Sequence, residues 1–193
     1  MTRPALALPP AEAALVQATY DAAQVILEYG LGGSTCLAAE MPGKTVYSVE
    51  SDKAWCAGLE QWFAENPPQS TVHLHLADIG PTGKWGKPAG EKHWRRFARY
   101  PYSVWERADF VHPDVVLVDG RFRAACFLAT LFSITRPITL LFDDYAERLA
   151  YHDVEIFGPP VAMQGRLARF ELTPTPVPPA MMPWIFDVFA RQF

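Results

Sequence analysis

"VILEYGLGGSTCLAAE" (Val25–Glu40) joins an apolar run ending in a carboxylate to three glycines packed within four residues. This order fits a strand that stops, turns sharply and enters a helix whose N-terminus faces a ligand. Glycine permits φ > 0 and lets backbone approach a ligand closely, and the first helical turn offers unpaired N–H groups. Gly30, Gly32 and Gly33 stand in that context. Glu50 ends the next strand-like run, 20 positions after Gly30, about the spacing at which an acid meets a ribose hydroxyl pair. Strand, turn and acid together point to a nucleoside-bearing ligand.

The flanking pattern extends this into a fold. Pro10 starts a predicted helix through about Ala22, with Glu12 in its first turn. Strands are expected at Gln24–Tyr29, Thr45–Val49, Thr71–Leu76, Val115–Asp119 and Ile138–Phe142. Helices are expected between them at Ser34–Ala39, Asp52–Ala64, Arg121–Ile134 and Tyr145–Tyr151. Strands alternating with helices predict an α/β fold of the Rossmann-like, doubly wound kind: a mostly parallel sheet of about seven strands with helices on both faces. "PDVVLVDG" and "ITLLFDD" are continuous apolar runs suited to central strands, whereas "TVHLHL" alternates and suits an edge. His73 and His75 then read as a solvent-facing pair. "DVEIFG" and "LARFEL" are expected to close the sheet as an antiparallel hairpin near the C-terminus. "TPTPVPPAMMP" is a connector, and "WIFDVFARQF" a short aromatic helix or strand.

The 193 residues are 50% hydrophobic and 20% charged, with a formal net charge of −4. That suits a single domain spanning 1–193 and gives no global electrostatic reason for a nucleic-acid partner. Cys36, Cys56 and Cys126 are odd in number, widely spaced and set in apolar segments, which favours a reducing cytoplasm over disulfides or zinc. No window approaches the roughly 18 apolar residues of a membrane span, and prolines interrupt the N-terminus.

Two features choose among nucleosides. The dinucleotide pattern G-x-G-x-x-G would put a third glycine where Thr35 stands. Glu28, two residues before Gly30, would repel a pyrophosphate but attract an ammonium or a sulfonium. "LEYGLGGST", followed by "YSVES", "LADIG" and "LLFDDY", resembles the nucleoside-binding half of class I S-adenosylmethionine-dependent methyltransferases, from about Val25 to Phe157. The resemblance implies that Glu28 and the backbone of Gly30, Gly32, Gly33 and Ser34 hold the methionine part of S-adenosylmethionine. It also implies Glu50 on the ribose hydroxyls and Asp78 on the adenine amino group. Ser34 replaces the usual third glycine of that turn.

Two expected strands end in acids, "VLVDG" and "LLFDDY". Carboxylates at adjacent strand ends face the crevice where open α/β sheets bind ligands, and three of them need a cation. One solution is Mg²⁺ held by Asp119, Asp143 and Asp144, an arrangement similar to metal-dependent catechol and sugar O-methyltransferases, where the metal would orient a substrate hydroxyl. "DGRFRAAC" departs from both types: Arg121 replaces a second acid, and Phe122 stands where the base would be. The other solution is Arg–Asp pairing through Arg121 or Arg123, with either arginine alternatively gripping an anionic substrate, Arg121 being the candidate substrate contact. Asp119 and His152 are the candidate catalytic groups. On the expected helix after "FDD", Asp144, Arg148 and Tyr151 or His152 would share one face.

Gly80–Pro113 is too long for an ordinary connection and carries Trp85, Trp94, Trp105 and seven of the seventeen Lys and Arg residues. It reads either as a substrate lid or as an amphipathic helix capping the core. The resulting expectation is an S-adenosylmethionine-dependent methyltransferase that O-methylates a small molecule, anionic or sugar-like, with or without metal. The alternatives are a methyltransferase-like nucleoside-binding protein without turnover and an NAD-dependent oxidoreductase, against which Glu28 and Thr35 stand. Oligomeric state is left open.

Overall fold

The computed structural model describes residues 2–192; Met1 and Phe193, the outermost residues of the expected domain, lie outside the described residues. The chain runs α1 (Pro10–Ala22), β1 (Val25–Tyr29), α2 (Gly33–Glu40), β2 (Thr45–Glu50), α3 (Lys53–Glu65), β3 (Thr71–Leu76), α4 (Arg99–Tyr102), β4 (Val115–Val118), α5 (Arg123–Ser133), β5 (Ile138–Phe142), β6 (Ala162–Gln164), β7 (Leu167–Leu172) and α6 (Met182–Ala190). Seven strands form one sheet in the order β3-β2-β1-β4-β5-β7-β6. The first five strands are parallel, while β7 pairs antiparallel with β5 and with β6.

Alternating side chains feed two layers, as the period of a strand requires. Leu27 and Tyr29 of β1, with Val116 and Val118 of β4, pack with α5, α6 and Phe97, Tyr100 and Val104 of the long insertion. Ile26, Val115 and Leu117 face the other way, onto Val16 and Tyr20 of α1 and Ala38 of α2. Strand order reverses at β1 and β4, so their carboxyl ends open a crevice between them.

Three expectations need correction. No helix forms over Tyr145–Tyr151: Asp144 takes a left-handed φ of +56°, and the chain turns before a 3₁₀ helix at Leu149–Phe157. That helix contains most of "DVEIFG", so the hairpin partner of "LARFEL" is the short, exposed β6 instead. Tyr151, Val154 and Phe157 recur every third residue, which matches the three-residue turn of a 3₁₀ helix rather than a strand. His73 and His75 are half-buried under the insertion: His73 stacks on Tyr47 at 4.7 Å, and His75 Nε2 lies 2.7 Å from Ser103 Oγ. The edge position of β3 is as expected, and "WIFDVFARQF" is helical through Ala190.

Candidate functional site

A cavity of about 510 Å³ opens at the carboxyl ends of β1, β2 and β4, a size suited to a nucleoside-bearing ligand. Its floor is Gly30–Ser34 and Gly120. Gly30 has φ +113°, and a Cβ there would lie 2.8 Å from the Gly120 nitrogen. Only glycines allow the ends of β1 and β4 to touch in this way, and the bare backbone becomes the cavity surface. The walls are Glu50, Asp52 and Trp55 on one side and Tyr100, Asp119 and Arg121 on another. Pro4–Ala7 forms a strap across the glycine turn, so close that a Cβ on Gly33 would overlap the Ala5 carbonyl and the Leu6 nitrogen. Arg3 ties one end of the strap to Glu40 through bonds of 2.7 and 2.9 Å, and Arg166 Nη2 donates to the Ala7 carbonyl at the other end.

Glu28, expected to touch the ligand, does not line the cavity. It is fully buried and accepts from Tyr20 Oη at 2.7 Å, Thr35 Oγ1 at 2.6 Å and Ser48 Oγ at 2.8 Å. Burial pushes its pKa up, against the pull of those hydroxyls. Thr35 Oγ1 in turn accepts from the Gly32 N–H at 3.1 Å. Glu28 therefore shapes the turn through Thr35, the residue that stands where a dinucleotide site would have glycine. Ser34 lines the cavity as expected.

Glu50 closes β2 at the cavity wall. Its Oε1 accepts from the backbone N–H groups of Ser51 at 2.6 Å and Asp52 at 2.9 Å, and the Leu31 backbone N–H also favours its charged form. Burial raises its pKa too. Asp78, expected at the adenine amino group, is exposed and outside the cavity. It accepts from Gly80 N–H at 3.0 Å and pairs with Arg96 at 3.0 Å, and these partners lower its pKa.

The three aspartates at the ends of β4 and β5 converge, and arginines fill the space between them. Arg123, almost wholly buried, lies 3.1 Å from both Asp119 and Asp144 and donates to the Gly120, Asp143 and Asp119 carbonyls. Arg166, which no motif marks, holds buried Asp143 with two bonds of 2.9 Å and reaches Asp144 at 3.4 Å. Arg148 pairs with Asp144 at 2.9 Å. Mg²⁺ does not fit this arrangement, because each carboxylate that would ligate it already faces a guanidinium. Among the described residues no group of three or more His, Cys, Asp or Glu side chains is placed to hold a metal ion. Of the two sequence solutions, Arg–Asp pairing matches the geometry, through Arg123 and Arg166.

Asp119 remains at the cavity wall, and burial beside Asp143 and Asp144 pushes its pKa up to about 7 against the pull of Arg123. Among the described arginines only Arg95 and Arg121 lack a carboxylate within 4.0 Å. Arg95 lies over Trp94, so half-buried Arg121 is the one that meets the cavity unpaired. Phe122, at φ +52°, turns the chain from this corner into α5 and is packed against Phe97 and Tyr100. His152 is not brought to the site: it stacks on Tyr145 at 4.5 Å with Nε2 3.0 Å from the Tyr145 carbonyl. The helix that would have aimed it does not form.

The insertion divides its roles. Phe97, Tyr100 and Val104 are core, while Lys84, Trp85 and Tyr100 line the cavity. Trp55 was also not anticipated; it sits one turn into α3, where Asp52 caps the helix and the Trp55 indole N–H donates to the Leu31 carbonyl. The strap carries no sequence signal beyond Pro4.

No family model matches the chain, and no curated protein matches it. Among solved structures, a methyltransferase-like protein from Silicibacter pomeroyi is 53% identical, aligns over 98% of this chain and 99% of its own, and superposes with a TM-score of 0.95. The O-methyltransferase TomG from Streptomyces achromogenes, solved with S-adenosylmethionine, is 17% identical over 78% of this chain and 61% of its own, with a TM-score of 0.51. A SAM-dependent O-methyltransferase from Thermotoga maritima is 12% identical over 90% of this chain and 63% of its own, with a TM-score of 0.54. The last two share the fold, whereas the first is close over nearly its whole length. With its glycine floor, Glu50 and strand order, the chain belongs to the class I S-adenosylmethionine-dependent methyltransferases.

Proposed function

We propose that the protein transfers a methyl group from S-adenosylmethionine to a hydroxyl of a small acceptor carrying an anionic or sugar-like group, without metal assistance. The observation that carries this reading is the pairing at the end of β4, where Asp119 and the unpartnered Arg121 line the same cavity as the glycine floor. S-Adenosylmethionine, when bound, supplies an electrophilic methyl group on a sulfonium sulfur. Gly30–Ser34 backbone would hold its methionine part and Glu50 its ribose. Arg121 would bind the anionic group of the acceptor and so set the hydroxyl beside Asp119. Asp119, with its pKa near neutrality and its carboxylate oriented by Arg123, accepts the hydroxyl proton as the oxygen takes the methyl group. The methyl ether of the acceptor, S-adenosylhomocysteine and protonated Asp119 would be the products, and the proton then passes to solvent.

The test is calorimetric titration of S-adenosylhomocysteine into wild type and Glu50→Ala, followed by methyl transfer to a panel of anionic and neutral hydroxyl compounds. Binding abolished by Glu50→Ala, with turnover abolished by Asp119→Asn and weakened by Arg121→Ala through a raised KM, is expected. Turnover of neutral and anionic acceptors alike, unaffected by Arg121→Ala, would remove the anionic assignment. Binding with no turnover of any acceptor would favour the nucleoside-binding protein.

A further inference from the structure

Among the described residues three non-glycine residues hold positive φ: Asp144 at +56°, Phe122 at +52° and Trp85 at +64°. Asp tolerates this conformation and Asp144 is paired with Arg123 and Arg148. Phe122 is 1% exposed and packed between two aromatic rings, so its burial offsets the strain. Trp85 has no such return. Its side chain is 72% exposed, and its one recorded partner is the Lys84 ammonium 5.4 Å from its ring. A bulky residue held in a strained conformation with its ring in water gains no burial in the free protein to offset that strain, and such residues gather at ligand clamps.

The turn that carries it is docked at one particular place. Gly86, next in sequence, is buried, and its carbonyl accepts from Ser51 Oγ at 2.8 Å. A Cβ on Gly86 would lie 2.8 Å from Glu50 Oε1. The turn is thus fastened to the β2 end, where the ribose is expected, and Trp85 lines the cavity from there. Asp119 and Arg121 line it from the end of β4. Asp78, the carboxylate expected at the edge of the base, is turned onto Arg96 outside the cavity.

We propose that Trp85 is the nucleobase clamp of this protein, stacking its indole on the adenine of the cofactor, so that the base is gripped by its face rather than read by a carboxylate at its edge. The proposal rests on the nucleoside reading of the cavity. Face contact accepts any planar purine, because every base presents a π surface. Analogues altered at the purine 6-position therefore bind nearly as well as the adenine compound.

The experiment is titration of S-adenosylhomocysteine, adenosine and S-inosylhomocysteine into wild type, Trp85→Phe, Trp85→Ala and Trp85→Gly, with thermal melts of each protein free of ligand. Trp85→Ala should weaken all three ligands by about tenfold, the scale of lost base–aromatic stacking. Trp85→Phe should stay within about threefold of wild type, as should S-inosylhomocysteine relative to S-adenosylhomocysteine on wild type. Trp85→Gly should weaken binding like Trp85→Ala while melting no lower than wild type, since glycine takes φ +64° without strain. Unchanged affinity in Trp85→Ala while wild type binds S-adenosylhomocysteine overturns the clamp and leaves the cofactor site standing. Strong rejection of the inosyl compound overturns recognition by the face. A wild type that binds none of the three overturns both the clamp and the cofactor reading.

Discussion

Gly33 and Asp119 show how far single atoms decide this site. Gly33 begins α2 directly beneath the strap, and a methyl group there meets the Ala5 carbonyl. Gly33→Ala is expected to lift Pro4–Ala7, costing about 1–3 kcal/mol of stability by overpacking and weakening S-adenosylhomocysteine in calorimetry. Asp119 carries a second expectation, in pH. Its ordinary pKa of 3.8 rises to about 7 in the folded chain, so between those values the folded protein holds a proton that the unfolded chain has released. Its contribution to stability is therefore complete below about pH 4 and is lost as the pH climbs through 7. Asp119→Asn should flatten that part of the melting temperature–pH curve, and an unchanged slope would place the titration on another group. The acid at the end of β4 is legible in the sequence from its position after an apolar run. What retunes it is not, because its burial and the like charges of Asp143 and Asp144, just past the end of β5, come from tertiary packing.

Elements fail and succeed in the sequence for reasons of period and length. The five parallel strands stand out as apolar runs, and Pro10 and Asp52 mark helix starts. The misplaced strand near the C-terminus arises because β6 is only three exposed residues, too short to show an alternation, while "DVEIFG" looks β-like but turns every three residues. The turn from β6 to β7 nonetheless delivers Arg166, whose guanidinium fixes Asp143 and Asp144 at the end of β5. Arg166→Ala should destabilise the fold by about 3 kcal/mol, since it leaves the buried Asp143 carboxylate without its guanidinium. Arg166→Lys should recover only part of this in urea unfolding, for lack of the two-pronged fork. With arginines in the space a metal would need, EDTA is expected to change neither S-adenosylhomocysteine affinity nor melting temperature. A Mg²⁺-dependent gain in either would contradict the Arg–Asp reading of the strand ends.

At the scale of the molecule, the sheet and its two packed faces support the cavity at the ends of β1, β2 and β4, so cofactor affinity and global stability are linked. S-Adenosylhomocysteine at about 100 times its Kd should add about 2.7 kcal/mol and raise the melting temperature by roughly 5–10 °C. No shift at that excess would mean that ligand and fold are uncoupled. No described helix is long and apolar enough to cross a membrane. The sequence displays the cavity's floor because strand, glycine turn and acid are local. It hides the roof because the roof depends on contacts between distant residues. Arg166 grips the Ala7 carbonyl across 159 positions of chain. This has a consequence for birth on the ribosome, where domains take shape as the chain emerges. The strap, the glycine floor and the Arg3–Glu40 tie leave the exit tunnel early, but Arg166, which fastens the other end of the strap, comes only with the last hairpin. A nascent chain without β7 carries every glycine of the cavity floor yet has a strap fastened at one end only, so the closed cavity waits for that hairpin.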